Sequence, residues 1–152
     1  MIQIRPAVPG DAPRLAQLRW EFRSAKTAPV ETEEVFVARC AEWMRDAIAT
    51  GAWHVWVAAD GAAIVGQLWT HLIPKLPNPA LEREQHLYIS NVFVTPSARG
   101  GIGTRLLDAA LAFAASERVD RVILWPTDRS RTMYQRRGFA ARDHLFELTV
   151  DR

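Results

Sequence analysis

The stretch from His86 to Ser116 constrains the fold most. His86 to Thr95 is rich in β-branched and aromatic residues, as a long strand is. Leu106, Leu107, Ala110, Leu111 and Ala114 then recur at helical spacing, which predicts a helix from about Gly103 to Ser116. Between them lies Arg99-Gly100-Gly101-Ile102-Gly103-Thr104. A strand that enters an amphipathic helix through such a turn must lay that helix on its own sheet. The first amides of the helix and its dipole make an anion site, and glycines let the backbone approach phosphate oxygens. Arg99 and Arg105 could add charge. Glycines serving only the turn are the simpler account of the stretch taken alone. No Gly-Lys-Ser/Thr follows, so it is not a P-loop, and no short βαβ unit surrounds it as in a dinucleotide fold.

The rest of the chain supplies the remaining elements. Ile2 to Arg5 alternates as a half-buried strand, and Asp11 is a candidate N-cap for a helix carrying Leu15, Leu18 and Phe22. A second helix has Val35, Phe36, Cys40, Trp43, Met44, Ala47 and Ile48 on its stripe and ends at Gly51. Trp53–Ala59 and Ile64–Leu72 read as a hairpin about Asp60-Gly61. Three prolines make Ile73–Gln85 mostly loop. Arg121–Trp125 reads as a buried strand, Ser130–Arg137 as a short helix stopped by Gly138, and Phe139–Val150 as one or two closing strands. The predicted order is β-α-α-β-β-β-α-β-α-β over residues 1–152, taken as one domain. Three consecutive strands point to an α/β (α+β) fold with a mixed, mostly antiparallel central sheet and helices on both faces.

Composition excludes several classes of function. No apolar run approaches the roughly 20 residues of a membrane span, and the first residues lack the pattern of a signal peptide. Cys40 is the only cysteine and reads as a core thiol, which fits a cytoplasmic chain. The formal charge of +2 is too small to suggest nucleic-acid binding. Arg129, Arg131, Arg136, Arg137 and Arg142 crowd the last quarter, as a solvated face or a basic surface near a phosphate-bearing ligand. Scattered histidines predict no metal.

Two motifs carry a resemblance. Asn91-Val92-Phe93-Val94, Pro96, Arg99-Gly100-Gly101-Ile102-Gly103 and Leu106-Leu107 resemble the central motif of the GNAT superfamily of N-acetyltransferases. Gly101 and Gly103 match the glycines of its [Arg/Gln]-x-x-Gly-x-[Gly/Ala] pattern; the first position falls on Ala98, with Arg99 one place late. The run Arg121–Phe139 is similar to the family's Asn-x-x-Ala-x-x-(apolar)-Tyr-x-x-x-Gly-Phe, with Thr127 at the Asn position, Ser130 at the Ala position, and Met133-Tyr134 and Gly138-Phe139 matching. Without the resemblance, Tyr134 reads as a core aromatic.

The resemblance implies acetyl-CoA as cosubstrate. The backbone of Val92, Phe93 and Val94 would pair with its pantetheine arm, the turn Arg99–Thr104 would hold the pyrophosphate, and Thr127 and Ser130 would lie beside the arm. An amine would attack the thioester directly, an amide at Phe93 or Val94 would polarise the carbonyl, and Tyr134 would donate to the departing sulfur. Among Glu21, Glu31, Glu82, Glu84, His71 and His86, the choice of general base falls on His86, which shares a strand face with Tyr88 and Ser90. The acceptor would be a small-molecule or peptide amine, with a homodimer admitted and no metal, nucleic acid or membrane involved. Loops 24–32 and 73–85, with Trp20 and Trp69 as walls, are the expected acceptor boundary. Glu31, Glu33 and Glu34 would favour a cationic acceptor if they faced it. A non-catalytic acyl-CoA-binding module of the same fold is the alternative.

Overall fold

The computed structural model describes residues 1–151. Among them, five strands form one sheet in chain order: β1 (Ile2–Pro6), β2 (His54–Asp60), β3 (Ala63–Pro74), β4 (Gln85–Val94) and β5 (Arg121–Ile123). The first three pairings are antiparallel, and β4 pairs with β5 in parallel. The parallel pair requires a crossover, and the helix after the glycine turn, α3 (Ile102–Ser116), supplies it, so β4-α3-β5 is a βαβ unit around that turn, contrary to the sequence expectation of none.

Helices cover both faces, each over its own core. Helices α1 (Ala12–Ser24) and α2 (Glu33–Ala49) bury Leu15, Leu18 and Met44 against Val55, Val57, Trp69 and Phe93. On the opposite face, α3 and the short α4 (Arg131–Arg136) bury Leu106, Leu107 and Tyr134 against Leu68, Ile89 and Val94. Gly66 lets α3 settle on the sheet, since a Cβ there would meet Phe93 O, Val94 Cγ2 and Leu106 Cδ1 at 3.2–3.3 Å.

A β-bulge breaks the regular alternation of β4. Gln67 pairs with Phe93 but Trp69 pairs with Ser90, so Asn91 and Val92 together oppose Leu68. Asn91 has φ 54, in the left-handed region that asparagine tolerates better than most residues. Side-chain parity reverses across the bulge: Ser90 precedes it and Phe93 follows it on the same α1/α2 side. Such bulges re-aim side chains and sit beside active sites more often than chance.

Two sequence expectations are corrected. The chain from Ala140 to Asp151 forms no strand, so the predicted final β element is absent. Its alternating apolar residues suit a strand, but β5 offers only three residues of edge for pairing. The segment instead meets that edge through side chains, with Arg121 Nη1 at 2.6 Å from His144 Nε2 and Trp125 Nε1 donating to Glu147 Oε2 at 2.9 Å. Phe146 and Leu148 stay exposed. Asp11 makes no side-chain cap bond to α1. Its carboxylate accepts from Val8 N at 2.8 Å and pairs with Arg5 Nη1 and Nη2 at 2.8 and 3.1 Å. That ion pair draws the carboxylate away from the helix amides.

Candidate active site

The β4–β5 ladder ends at Tyr88 opposite Ile123. Beyond it the two strands diverge, and the β4 edge from Ile89 to Val94 has no strand beside it on that side. This is the groove expected between Val92–Val94 and Arg121–Trp125. At its far end the chain turns through Gly100 at φ 137 and Gly101 at φ 91. Both glycines are exposed, and Gly101 caps α3 without a side-chain bond. The first amide of the helix with an intrahelical acceptor is that of Arg105, bonded to Gly101 O at 3.1 Å. The amides of Ile102, Gly103 and Thr104 are therefore the free first-turn donors of α3.

Arg99 does not extend from the turn. Its Nε donates to Val94 O at 3.2 Å, folding the side chain along the end of β4. Arg105 Nη2 donates to Ile2 O at 3.0 Å, toward β1. Two of the five arginines crowding the last quarter meet carboxylates: Arg137 grips Asp108 at 2.7 and 3.1 Å, and Arg131 lies 3.9 Å from Asp128.

Helix α4 closes the groove from the α3 side. An atom added at Gly103 would lie 3.3 Å from Met133 Sδ, so the glycine turn and the second motif are in contact. Tyr134 is buried at 6% exposure, and its ring meets Phe139 edge-on at 5.5 Å. Burial alone pushes its hydroxyl pKa up to about 12; no charge or hydrogen bond contributes. The hydroxyl is thus a proton holder throughout the neutral range.

Thr127 and Ser130 are spent largely on each other. Ser130 Oγ accepts from Thr127 N and Thr127 Oγ1 at 3.0 and 2.9 Å and donates to Thr127 O at 3.1 Å. Thr127 Oγ1 also accepts from Ser130 N at 3.2 Å. A hydroxyl has one donor and two acceptor positions, so Ser130 is saturated and Thr127 keeps one acceptor position. The pair fixes the turn into α4, which aims Tyr134.

The other side of β4 carries a cavity of about 250 Å³ beside the bulge. Arg19, Phe36, Trp43, Trp53, Trp69 and Asn91 are among its walls. Neither loop 24–32 nor loop 73–85 lines it, contrary to expectation. Trp69 is one of its walls, whereas Trp20 packs on Phe36 with centroids 5.7 Å apart and is not. Glu31 is engaged by Arg39, and Glu33 and Glu34 border a separate shallow depression with Gln17. The helical stripes showed apolar residues, but nothing in their spacing marked Arg19 as the charge set among them. Cys40 also lines the cavity, and burial pushes its thiol pKa up, so it is held as a thiol rather than a nucleophilic thiolate.

The two histidines of this face differ. His86 stands five residues before Asn91 on β4, roughly 17 Å along an extended strand. Its Nδ1 is buried without a hydrogen-bond partner. His71 stacks on Trp53 with centroids 4.8 Å apart, and its Nδ1 lies 2.8 Å from Ala52 O. A carbonyl only accepts, so Nδ1 is the donor in this contact, and Nε2 is the nitrogen that would accept a proton in the neutral ring. Among the described residues, no group of three or more His, Cys, Asp or Glu side chains is placed to hold a metal, and no helix is long and apolar enough to cross a membrane.

A crossover helix entered through left-handed glycines thus lies beside a parallel pair that splays beyond Tyr88 and Ile123. The chain belongs to the acetyltransferase (GNAT) family, whose profile matches residues 14–139. No curated protein matches it in sequence. Among solved structures, it resembles a GCN5-related N-acetyltransferase from Ralstonia eutropha JMP134 (24% identity, TM-score 0.76, 98% of this chain and 99% of that one). It also resembles a predicted acetyltransferase with acetyl-CoA from Clostridium acetobutylicum (21% identity, TM-score 0.79, 98% and 96%). A third is an aminoglycoside acetyltransferase from an uncultured soil metagenomic sample, in complex with trehalose (18% identity, TM-score 0.73, 99% and 96%). At these identities the likeness is one of fold.

Proposed function

We propose that the protein moves an acetyl group from acetyl-CoA to a primary amine by direct attack in a ternary complex. The observation that carries this reading is the open β4 edge, which runs from the end of the β5 ladder into the left-handed glycines and free amides of α3. That surface fits an extended amide-bearing arm ending in a pyrophosphate: strand amides and carbonyls for the arm, helix amides for the anion. Val92, Phe93 and Val94 would supply the strand contacts, and Gly100–Thr104 the anion contacts. Arg99 has its Nε engaged and would contribute at most its remaining nitrogens. Thr127 would accept from an amide of the arm through its one open position, and Ser130 would serve by holding Thr127.

In the reaction the neutral amine forms a bond to the thioester carbonyl carbon, the carbon–sulfur bond breaks, and the sulfur leaves with the electron pair. An amide of the bulged strand polarises the carbonyl oxygen. Tyr134 donates a hydrogen bond to the sulfur as charge develops there. Its raised pKa of about 12, against roughly 8.5 for a thiol, makes complete proton transfer uphill by roughly 5 kcal/mol, so the hydrogen bond itself is the useful interaction. His71, with Nε2 free beside Trp53, is better disposed than His86 to take the amine's proton. The test is CoA release against a panel of amines, beside thermal melting with acetyl-CoA. Amine-dependent release and a raised melting temperature support the reading. No thermal shift at millimolar CoA refutes it, and a shift without turnover favours a non-catalytic acyl-CoA-binding module.

A further inference from the structure

We propose that the acceptor is a free α-amino acid with an apolar or aromatic side chain, its carboxylate held by Arg19 and its side chain lying on the indoles of Trp43, Trp53 and Trp69. The inference rests on the acetyltransferase reading and names the substrate of that site.

The cavity beside the β4 bulge is aromatic on one side and cationic on the other. The three indoles form a mutual cluster, with centroids 5.9, 5.9 and 6.0 Å apart. Trp43 is 53% exposed although it is one of the cavity walls, so a large apolar surface is left open there. A volume of about 250 Å³ falls below the roughly 300–1,000 Å³ of drug-sized sites and suits a small molecule.

Among the described residues, Arg19 is the only charged side chain lining this space. It is partly buried, and burial pulls its pKa below the ordinary arginine value, with the charge of Arg23 acting in the same sense. Its Nη1 donates to Asn91 Oδ1 at 3.1 Å, a neutral acceptor. Among the described residues, no carboxylate lies within ion-pair distance of it. A partly desolvated cation without an anion is costly, and a ligand carboxylate would offset that cost. The planar guanidinium fork suits a carboxylate, which can accept two parallel hydrogen bonds from it. An acceptor with several positive charges would instead meet repulsion, although indole faces alone would attract a cation.

The place of the carboxylate limits where the amine can be. Arg19 is tied to Asn91, the left-handed residue of the bulge, and Val92–Val94 follow directly. At about 3.3 Å per residue, Val94 lies roughly 10 Å along the strand from Asn91, so the guanidinium anchor sits at the near end of the segment proposed to hold the thioester. An amine on the carbon next to the carboxylate reaches that segment. An amine at the end of a peptide does so only if the carboxylate is given up.

The experiment compares matched pairs with the intact protein. Rates of CoA release are measured for L-phenylalanine against 2-phenylethylamine and L-leucine against isopentylamine, with spermidine and kanamycin as polycations and L-phenylalanyl-L-alanine as a peptide. The amino acid should exceed its decarboxylated partner in kcat/KM by about ten- to hundredfold, the range expected of a charge-assisted pair. In Arg19→Gln that ratio should fall toward one, and Arg19→Lys should restore part of it. Indole fluorescence of the wild-type protein, titrated with N-acetyl-L-phenylalanine and with N-acetyl-2-phenylethylamine, gives a second readout that needs neither a variant nor turnover. It should respond at lower concentration to the carboxylate-bearing compound. Equal kcat/KM within the pairs, preference for the peptide or a polycation, or equal fluorescence titrations would overturn the proposal while acetyl-CoA turnover persists. Loss of acetyl-CoA binding would instead overturn the acetyltransferase reading, and the fluorescence pair would still decide whether Arg19 binds carboxylates.

Discussion

Replacing Tyr134 with phenylalanine separates chemistry from architecture, because the two respond in opposite ways. The ring is buried against Phe139 at 5.5 Å and within the core formed with Leu106 and Leu107, and those contacts survive the substitution. The hydroxyl contributes no hydrogen bond to its own pKa balance, so its removal takes away a desolvated group rather than a bond. Stability should change by no more than about 1 kcal/mol, in either direction. Because burial raises the folded-state pKa from about 10 to about 12, the wild-type contribution is full below about pH 10 and is lost as pH rises through about 12. The phenylalanine variant should lack that alkaline loss. Turnover should behave differently. A donor that meets charge only as the sulfur departs is worth about 1.4–4 kcal/mol of barrier, or ten- to a thousandfold in rate, with acetyl-CoA affinity unchanged. Single-turnover transfer, acetyl-CoA titration and denaturant melts between pH 7 and 11 make the comparison. Undiminished transfer removes Tyr134 from the reaction. A joint fall in affinity and melting temperature assigns it to the core instead.

Two further substitutions probe the scaffold. Gly101→Ala meets no neighbour within 4 Å but must hold φ 91, so it should cost roughly 1–2 kcal/mol and weaken acetyl-CoA binding, whereas Gly103→Ala exchanges a better helix former for a 3.3 Å contact with the flexible end of Met133 and should stay within about 1 kcal/mol. Denaturant melts and acetyl-CoA titration of both variants check this, and equal losses would refute the assignment of Gly101 as the backbone-limited position. Asp11 has its pKa lowered, first by the hydrogen bond from Arg5, so its contribution is present above about pH 4 and is lost as pH falls through the depressed folded value. Asp11→Asn should therefore be destabilising at pH 7 and approach neutrality only as the pH falls below the depressed folded value, as read by melting temperature across an acid series.

The sheet and its helices were legible because each depends on local pattern. The stripe of α3 shows at helical period, whereas β4 shows through its β-branched and aromatic composition, because it is covered on both faces, with Phe93 in one core and Ile89 and Val94 in the other. The closing strand was misread for a reason outside the pattern. Leu145 to Val150 alternates well enough, but a strand exists only where an edge accepts it, and the edge of β5 is three residues long. The length of a neighbour cannot be taken from the segment itself. Asp11 shows the same limit at smaller scale, since its position before a helix suggested a cap and Arg5 claimed its carboxylate first.

The two halves of the candidate site differ in legibility because they are built differently. The donor side is continuous in sequence: strand, turn and helix follow one another from Gln85 to Ser116, so spacing exposes it. The proposed acceptor side is assembled from Arg19 on α1, Phe36 and Trp43 on α2, Trp53 before β2, Trp69 on β3 and Asn91 on β4. Each reads in isolation as an ordinary helical or strand residue. Only Asn91 carried a local signal, since asparagine is depleted in strands and tolerant of positive φ, and it stands where the bulge reverses side-chain parity. In the proposed reaction that reversal would let a single strand serve both reactants. Ser90 borders the cavity before the bulge, Phe93 returns to the same face after it, and the edge running on to the glycine turn stays free for the donor. Deleting Asn91 would restore regular alternation, with Ser90, Val92 and Phe93 against Trp69, Leu68 and Gln67, and leave Val92–Val94 on their present faces while withdrawing Arg19's hydrogen-bond partner. Acetyl-CoA binding should therefore persist in titration while the kcat/KM preference for the carboxylate-bearing acceptor falls; loss of both together would refute this reasoning.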